Sequence, residues 1–134
     1  MTLEELIENF ELLEDWEDKY RYLIDLGNNL PPLPAELKTD EFKVMGCQSQ
    51  VWLVPELKDG QLSFIGDSDA IIVKGLIAVV LTIFKGKTAS EILNFDLDNV
   101  FAKLGLKEHL SPSRRNGLLS MIEKIRFYAE HLQE

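Results

Sequence analysis

The sequence has little of what disulfide-bonded, nucleic-acid-binding and metal-cluster proteins depend on. It contains one cysteine, Cys47, in 134 residues. A single cysteine cannot close a disulfide within the chain or build a cysteine-rich zinc or iron–sulfur site. Basic residues are also scarce, because 14 Lys and Arg stand against 23 Asp and Glu, for a formal net charge of −9. An acidic surface repels phosphate groups, which disfavours nucleic acids and anionic membranes as partners.

Long apolar runs are absent as well. The longest, residues 71–84, is interrupted by Lys74 and is shorter than the ~20 residues that a membrane span needs. The N-terminal segment MTLEELIENF is acidic and amphipathic, unlike a secretory signal or an Arg-rich transit peptide. With 46% hydrophobic and 28% charged residues, the composition is typical of a globular protein. We therefore expect a cytoplasmic protein with a reduced thiol, folded as a single domain over residues 1–134.

The first half of the chain predicts two amphipathic helices followed by a β-hairpin. Residues 50–57 and 61–65 are rich in β-branched and aromatic side chains, and Asp59-Gly60 between them is a strong turn signal. Both faces of the first strand are apolar, so we expect it to be an inner strand. A third strand over residues 42–45 is expected beside it. The predicted sheet is small, antiparallel and three-stranded.

The second half predicts helices. The acidic group in GDSD, residues 66–69, precedes a long apolar segment and is interpreted as the N-terminal cap of a buried helix. Two shorter helices are predicted over residues 88–94 and 96–104. Ser111-Pro112 then opens a long final helix. Helices, a small hairpin sheet and further helices indicate an α+β fold.

The position of Cys47 allows two interpretations. A lone cytosolic cysteine is usually a small buried hydrophobe. Here, however, Gly46 permits a turn, and Gln48 and Ser49 are polar, so the thiol lies just before the strand rather than within it. Cysteines on loops carried by a rigid sheet are more often reactive. From the residues alone, a structural thiol and a reactive thiol are equally plausible.

Four motifs together resemble the SufE/CsdE family of sulfur-acceptor proteins in iron–sulfur cluster assembly. They are GCQSQVW (46–52), GDSDA (66–70), VKGLIAVV (73–80) and HLSPSRRNGL (109–118), in the order and spacing of the family. The resemblance runs from the first helix to about Tyr128. It implies the fold shared with the U-type scaffold proteins, a small sheet of about three strands packed with helices, which agrees with the α+β interpretation.

The resemblance also implies a function. SufE-like proteins bind a pyridoxal-phosphate cysteine desulfurase, of the SufS or CsdA type, and accept its persulfide sulfur on their cysteine, here Cys47. They stimulate the desulfurase and pass the sulfur to a downstream acceptor such as a cluster scaffold complex. On this hypothesis the chain is an accessory protein rather than an enzyme, and it binds no metal and no cofactor of its own. The pyridoxal phosphate belongs to the partner.

Further residue roles follow from the same resemblance. We expect Gly46, Gln48 and Ser49, with Asp69 and Arg114, to contact the desulfurase or to place the cysteine loop. The Gly46-Cys47 turn is predicted to be a hinge.

Three structural expectations accompany these roles. Met45 and Trp52 are candidates for lining an apolar shelter around the sulfur, although plain core packing is the simpler interpretation. An ion pair between Asp69 and Arg114 is a further candidate contact. Gly117 is expected to allow close helix packing.

Two alternative functions remain. A single-cysteine thiol enzyme of the peroxide reductase type would need an exposed Cys47 with a depressed pKa, yet the nearest cation in sequence is Lys43, four residues back. A non-carrying activator of a partner enzyme would not need the thiol at all. The two histidines, His109 and His131, are expected at the surface rather than beside the thiol as a catalytic base.

Overall fold

The computed structural model describes residues 1–132 as seven α-helices and one β-hairpin. A short 3₁₀ turn, Ala35–Leu37, lies in the proline-containing connection before the hairpin. In chain order the elements are α1 (Leu3–Leu12), α2 (Trp16–Asn28), β1 (Val51–Lys58), β2 (Gln61–Ser68), α3 (Ile71–Phe84), α4 (Ala89–Leu93), α5 (Leu97–Leu104), α6 (Leu106–His109) and α7 (Pro112–His131). The predicted α+β class is confirmed.

The hairpin forms where the sequence predicts it. Strands β1 and β2 are antiparallel, with Val51 opposite Ser68 and Lys58 opposite Gln61. Asp59 and Gly60 form the two-residue turn with φ angles of 53° and 76°. Two successive positive φ angles match the right-handed twist of the flanking strands, which is why Asp-Gly is favoured in this turn.

The prediction of a three-stranded sheet is wrong. The part of the chain that the structure describes contains a two-stranded sheet, and the segment expected as the third strand makes one isolated bridge, between Lys43 and Trp52. Two backbone hydrogen bonds flank this bridge: Val44 N–H donates to Val51 O at 2.8 Å, and Leu53 N–H donates to Phe42 O at 2.9 Å. Pairing goes no further because the chain turns away from β1 just after Val44.

Helix α3 is the centre of the core. Nine of its residues are buried, and it packs between α2 and the hairpin. Its backbone approaches α2 so closely that a Cβ atom on Gly75 would lie 2.2 Å from the carbonyl oxygen of Leu23. Helix α7 covers the other side of the core, and the Tyr128 hydroxyl on α7 donates to the carbonyl oxygen of Leu53 on β1 at 3.2 Å. The hairpin is therefore held between α3 and α7.

The acidic group before α3 does not cap that helix, contrary to expectation. Residues 66–68 belong to β2, and the N-cap residue is Ala70, which makes no side-chain capping bond. Asp67 instead pairs with Lys38 at 3.2 Å and Lys74 at 3.5 Å. Burial by itself would raise the pKa of Asp67, but the hydrogen bond from the Ser68 N–H and the two lysine charges outweigh it and lower the pKa.

The start of α7 agrees with the prediction. The Ser111 hydroxyl accepts a hydrogen bond from the Arg114 N–H at 3.3 Å, and Pro112 is the first helical residue. A proline at this position costs no intrahelical hydrogen bond, because the first N–H groups of a helix have no intrahelical partner. This cap fixes the first turn of α7 beside the loop that carries Cys47.

Candidate functional site

The Cys47 loop runs between two anchored points. On one side, Val44 is buried and hydrogen-bonded to β1. On the other, the Gln50 N–H donates to the Asp69 carboxylate at 3.0 Å, and the Asp69 N–H donates to the Gln50 carbonyl oxygen at 3.2 Å. The residues between these points, 45–49, lie outside the helices and strands. The loop is therefore a short irregular segment with fixed ends, as a local swinging movement would require.

Gly46 sets the direction of this loop. Its φ angle is +87°, in the left-handed region that residues with a Cβ rarely adopt. A Cβ atom built on Gly46 would also lie 2.9 Å from the Ser120 hydroxyl oxygen on α7. The glycine thus allows both the turn and the close approach of the loop to α7.

The thiol of Cys47 is half-buried against α7. Its sulfur lies 3.8 Å from the carbonyl oxygen of Gly117, to which the thiol donates a weak hydrogen bond. A Cβ atom added to Gly117 would lie 3.6 Å from the same sulfur. The close neighbour of Gly117 on this side is therefore the thiol, and not another helix as the sequence suggested.

Burial also determines the acidity of this thiol. Desolvation raises the pKa of Cys47, because removing water from the sulfur disfavours the charged thiolate. In this resting position the group is a protected, protonated thiol rather than an activated nucleophile.

A cavity of about 230 Å³ opens beside the sulfur. The apolar part of its wall comes from α3 and α7, and the polar part from the Cys47 loop and the first turn of α7. It is lined by Cys47, Gln48, Ser49, Ala70, Ile72, Val73, Leu76, Ser111, Ser113, Arg114, Gly117, Leu118 and Met121. Four residues that the sequence singled out, at positions 47, 48, 49 and 114, are thus brought together at one cavity.

The other sequence candidates have different surroundings. Asp69 does not line the cavity, and no ion pair joins it to Arg114 in the part of the chain that the structure describes. Its carboxylate accepts the Gln50 N–H. Met45 is 75% exposed, and Trp52 is buried below the Nζ atom of Lys38, 5.5 Å from its ring. Neither residue lines the cavity beside the sulfur. The simpler interpretation, core packing, is confirmed for Trp52 and is wrong for Met45.

Sequence reasoning missed the residues that do form the shelter. In α7 the sequence indicated a functional role for Arg114 but none for Ser113 or Met121, and in α3 it indicated only a core role for Ile72 and Leu76. The motif SPSR (111–114) gave a partial signal for Ser113. A serine cap fixes the first turn of the helix that follows it, so the side chains of that turn have defined positions. Nothing local in the sequence indicated that this turn faces the loop around Cys47.

Metal-binding clusters and membrane spans are both missing from the described chain. Nowhere in residues 1–132 do three His, Cys, Asp or Glu side chains come together in a way that would hold a metal ion. Across the same residues, no helix has both the length and the apolar character needed to cross a membrane.

Fold and site together define a class of small α+β proteins that carry one thiol on a loop at the mouth of a cavity. Within that class, this chain belongs to the SufE family: the family model described as "SufE: Fe-S metabolism associated domain" matches residues 4–129. The resemblance inferred from the four sequence motifs is thereby confirmed. The chain carries a domain associated with iron–sulfur metabolism.

Relatives from two bacteria agree with this assignment. An uncharacterized SufE-like protein of Rhizobium meliloti strain 1021 is 53% identical over 133 residues, which cover 96% of this chain and 95% of the relative. A second, from Rhizobium etli, is 52% identical over 129 residues, which cover 93% of this chain and 87% of the relative.

A solved structure shares the fold. The solution structure of a hypothetical protein from Thermus thermophilus matches with a TM-score of 0.77 and 19% sequence identity, covering 98% of this chain and 97% of that one. At this level of identity the likeness concerns the fold alone.

Proposed function

We propose that this protein is a sulfur acceptor and carrier for iron–sulfur cluster assembly. A pyridoxal-phosphate cysteine desulfurase of the SufS or CsdA type transfers its persulfide sulfur to Cys47, and the protein passes that sulfur to a downstream acceptor such as a scaffold complex. The observation that carries the proposal is a single half-buried thiol at the mouth of a cavity, in a member of the SufE family. The protein acts in the cytoplasm as a co-substrate and activator, and the pyridoxal phosphate remains with the desulfurase.

The transfer is a thiol–disulfide exchange in which atoms and charge balance. The thiolate of Cys47 attacks the outer sulfur of the donor persulfide, a new sulfur–sulfur bond forms, and the donor cysteine leaves as a thiolate. A second thiol in the acceptor would attack the new persulfide, release sulfide and close a disulfide. The single cysteine of the chain removes that side reaction.

The resting geometry supports a protected carrier that is activated by its partner. Burial raises the pKa of Cys47, so little thiolate is available to stray electrophiles in the free protein. Movement of the loop about Gly46 would expose the sulfur to a docked desulfurase, and return of the loop would shelter the added sulfur atom in the cavity. Gln48, Ser49 and Arg114 line this cavity, and Asp69 holds the end of the loop, so these residues guide the movement and meet the partner.

The same geometry disfavours a peroxide reductase. That reaction needs an accessible thiolate with a depressed pKa, whereas the thiol of Cys47 is half-buried and its pKa is raised. Structure and chemistry therefore favour the carrier role over this alternative.

The stimulation of a desulfurase separates a carrier from a non-carrying activator. Alanine release from L-cysteine is measured for the desulfurase alone, with this protein, and with Cys47→Ser. A carrier stimulates turnover only when it has the thiol. Direct binding measurements are the control, and we expect them to find that the serine variant still binds the desulfurase. Full stimulation by Cys47→Ser would contradict the carrier proposal and favour the non-carrying activator.

A further inference from the structure

The cavity beside Cys47 differs in charge from the protein as a whole. The chain carries 23 acidic and 14 basic residues, yet no Asp or Glu is found among the described residues that line this cavity. Its charged lining residue is Arg114, accompanied by the hydroxyl groups of Ser49, Ser111 and Ser113 and the amide of Gln48. A cavity with a cation, hydrogen-bond donors and no carboxylate is suited to an anion.

The charge of Arg114 is not neutralised by a neighbour. Within residues 1–132, no Asp or Glu oxygen lies within 4 Å of its guanidinium group, although five such ion pairs form elsewhere. Asp69, the acid that the sequence suggested as its partner, accepts the Gln50 N–H instead. Arg114 also lies in the first turn of the 20-residue helix α7, where the helix dipole adds to the positive potential.

The dimensions of the cavity limit which anion fits. A volume of about 230 Å³ has room for several water molecules, and therefore for a small ion together with one extra sulfur atom. A tripeptide thiol does not fit wholly within this volume, so we expect it to reach the sulfur less readily than a small ion while the loop is seated against α7, with the Cys47 sulfur 3.8 Å from the Gly117 carbonyl oxygen. The volume and the lining together favour a small anion over a larger thiol.

We infer that this cavity binds a small sulfur oxyanion of the sulfite class, and that the bound anion removes the outer sulfur of a Cys47 persulfide as thiosulfate. The inference rests on the proposed function in so far as the persulfide is the group that reacts. It adds a small-molecule acceptor to the protein acceptor, at the same thiol.

The reaction balances without any oxidant or reductant besides sulfite. The sulfur lone pair of sulfite attacks the outer sulfur of the Cys47 persulfide, and a new sulfur–sulfur bond forms. The bond between that outer sulfur and Cys47 Sγ breaks, and its electron pair stays on Sγ. The persulfide proton moves to Sγ, so the products are the Cys47 thiol and the thiosulfate dianion.

Arg114 is assigned to bind the attacking dianion. The guanidinium group holds the oxygens of the sulfite dianion beside the protonated persulfide that it attacks. Ser49 and Ser113 line the same cavity, and their hydroxyl groups are assigned to donate further hydrogen bonds to the same oxygens.

The test uses the isolated protein, loaded on Cys47 with inorganic polysulfide and freed of excess reagent. Sulfite is added, and thiosulfate formation and loss of the added sulfur are followed together. We expect a rate that saturates with sulfite and exceeds the rate with equimolar glutathione at least tenfold. Arg114→Gln is expected to raise the half-saturating sulfite concentration about tenfold, as the loss of one charge-assisted contact predicts, with Arg114→Lys in between.

The matched control is Arg21→Gln, which removes the same charge from an exposed ion pair on α2 and should leave the half-saturating concentration unchanged. A rate that rises linearly with sulfite and is equal in wild type and Arg114→Gln would overturn the inference. A rate with glutathione equal to that with sulfite would overturn it as well.

A binding measurement on Cys47→Ser separates the anion site from the chemistry. Sulfite should bind to this unreactive variant by calorimetry, and the double variant Cys47→Ser/Arg114→Gln should bind it at least about tenfold more weakly. No binding, or equal binding, contradicts the site. Because loading uses polysulfide, this test does not depend on the desulfurase. A desulfurase that fails to load Cys47 would refute the proposed donor and leave the oxyanion site standing. Loading by the desulfurase together with no sulfite binding would refute the oxyanion site alone.

Discussion

The sulfur of Cys47 lies 3.8 Å from the carbonyl oxygen of Gly117, although the two residues are 70 positions apart in the chain. The last helix, and not the neighbouring hairpin, therefore forms the seat of the thiol. The same helix supplies Ser113, Arg114 and Met121 to the cavity. Substitutions on one face of α7 should consequently change the behaviour of a cysteine that is remote in sequence.

Replacing Gly117 should separate helix stability from the seating of the thiol. In Gly117→Ala, the added methyl group makes an ordinary contact with Sγ at 3.6 Å. Alanine also loses less conformational entropy than glycine when a helix forms. The free energy of unfolding, measured with denaturant, should rise by about 0.5–1 kcal/mol. Gly117→Leu is too large for this space, and we expect it to push Cys47 outward and speed its alkylation severalfold.

Asn116→Leu is the matched control for the leucine variant, because residue 116 is exposed on the same helix. Its alkylation rate should equal that of the wild type. Slow alkylation in Gly117→Leu would show that the thiol does not rest on this helix.

Replacing Gly46 should destabilise the resting loop. Gly46→Ala places a Cβ at φ +87° and 2.9 Å from the Ser120 hydroxyl oxygen, and the left-handed backbone alone costs about 1–2 kcal/mol. Denaturant unfolding should show a loss of at least this size. Adding Ser120→Ala to Gly46→Ala should recover the part of the lost stability that comes from the close contact with the Ser120 hydroxyl group.

Gly86→Ala measures the backbone cost alone, since Gly86 has φ +73° and no atom within 4 Å of an added Cβ. If Gly46→Ala is no more destabilising than Gly86→Ala, the close contact with Ser120 on α7 adds nothing to the loss of stability in Gly46→Ala.

Removing the Asp69 carboxylate should loosen the end of the cysteine loop. Asp69 accepts the Gln50 N–H at 3.0 Å, and a hydrogen bond of this kind contributes about 1 kcal/mol. We expect Asp69→Ala to speed hydrogen exchange at the Gln50 amide and alkylation at Cys47 about fivefold, as that energy predicts. Asp69→Asn, which keeps an acceptor oxygen, should have a smaller effect.

Asp25→Ala, at an exposed position on α2, makes the same change in net charge and should leave both rates unaltered. A change as large in Asp25→Ala would mean that net charge, and not the Asp69–Gln50 bond, controls the loop.

The raised pKa of Cys47 should be visible in both reactivity and stability. Burial keeps the thiol protonated, so the midpoint of its alkylation rate against pH should lie above that of free cysteine. The folded protein also retains this proton to higher pH than the unfolded chain. The resulting stability is therefore complete below the pKa of the unfolded thiol and is lost as the pH rises through the higher pKa of the native thiol.

The difference in free energy of unfolding between wild type and Cys47→Ser, measured from neutral to alkaline pH, isolates this contribution. A difference that stays constant with pH, or an alkylation midpoint below that of free cysteine, would contradict a buried resting thiol.

Local signals in the sequence predicted most of the helices and the hairpin, although not the short helix α6. Asp59-Gly60 specifies its own turn, and Ser111-Pro112 specifies the start of α7, because each acts on backbone groups a few residues away. The apolar segment that became α3 was correctly assigned to a buried helix because its length exceeds that of a strand.

Contacts between distant segments were less predictable. GDSD had the composition of a helix cap, but Asp69 bonds to Gln50, and Asp67 pairs with Lys38 and Lys74. The expected third strand ends after one bridge because Gly46 turns the chain toward α7. Met45 and Trp52 flank Cys47 in sequence but lie away from the cavity, since nearness in sequence does not determine which side of a loop a side chain occupies.

The most direct test of the account is the mass of Cys47 after exposure to a sulfur donor. The protein is mixed with a cysteine desulfurase, pyridoxal phosphate and L-cysteine, separated without reductant, and analysed intact and after proteolysis. The account predicts an added sulfur atom on the peptide that contains Cys47, removable by reductant and absent from Cys47→Ser. An unmodified Cys47 in the presence of an active, bound desulfurase would contradict it.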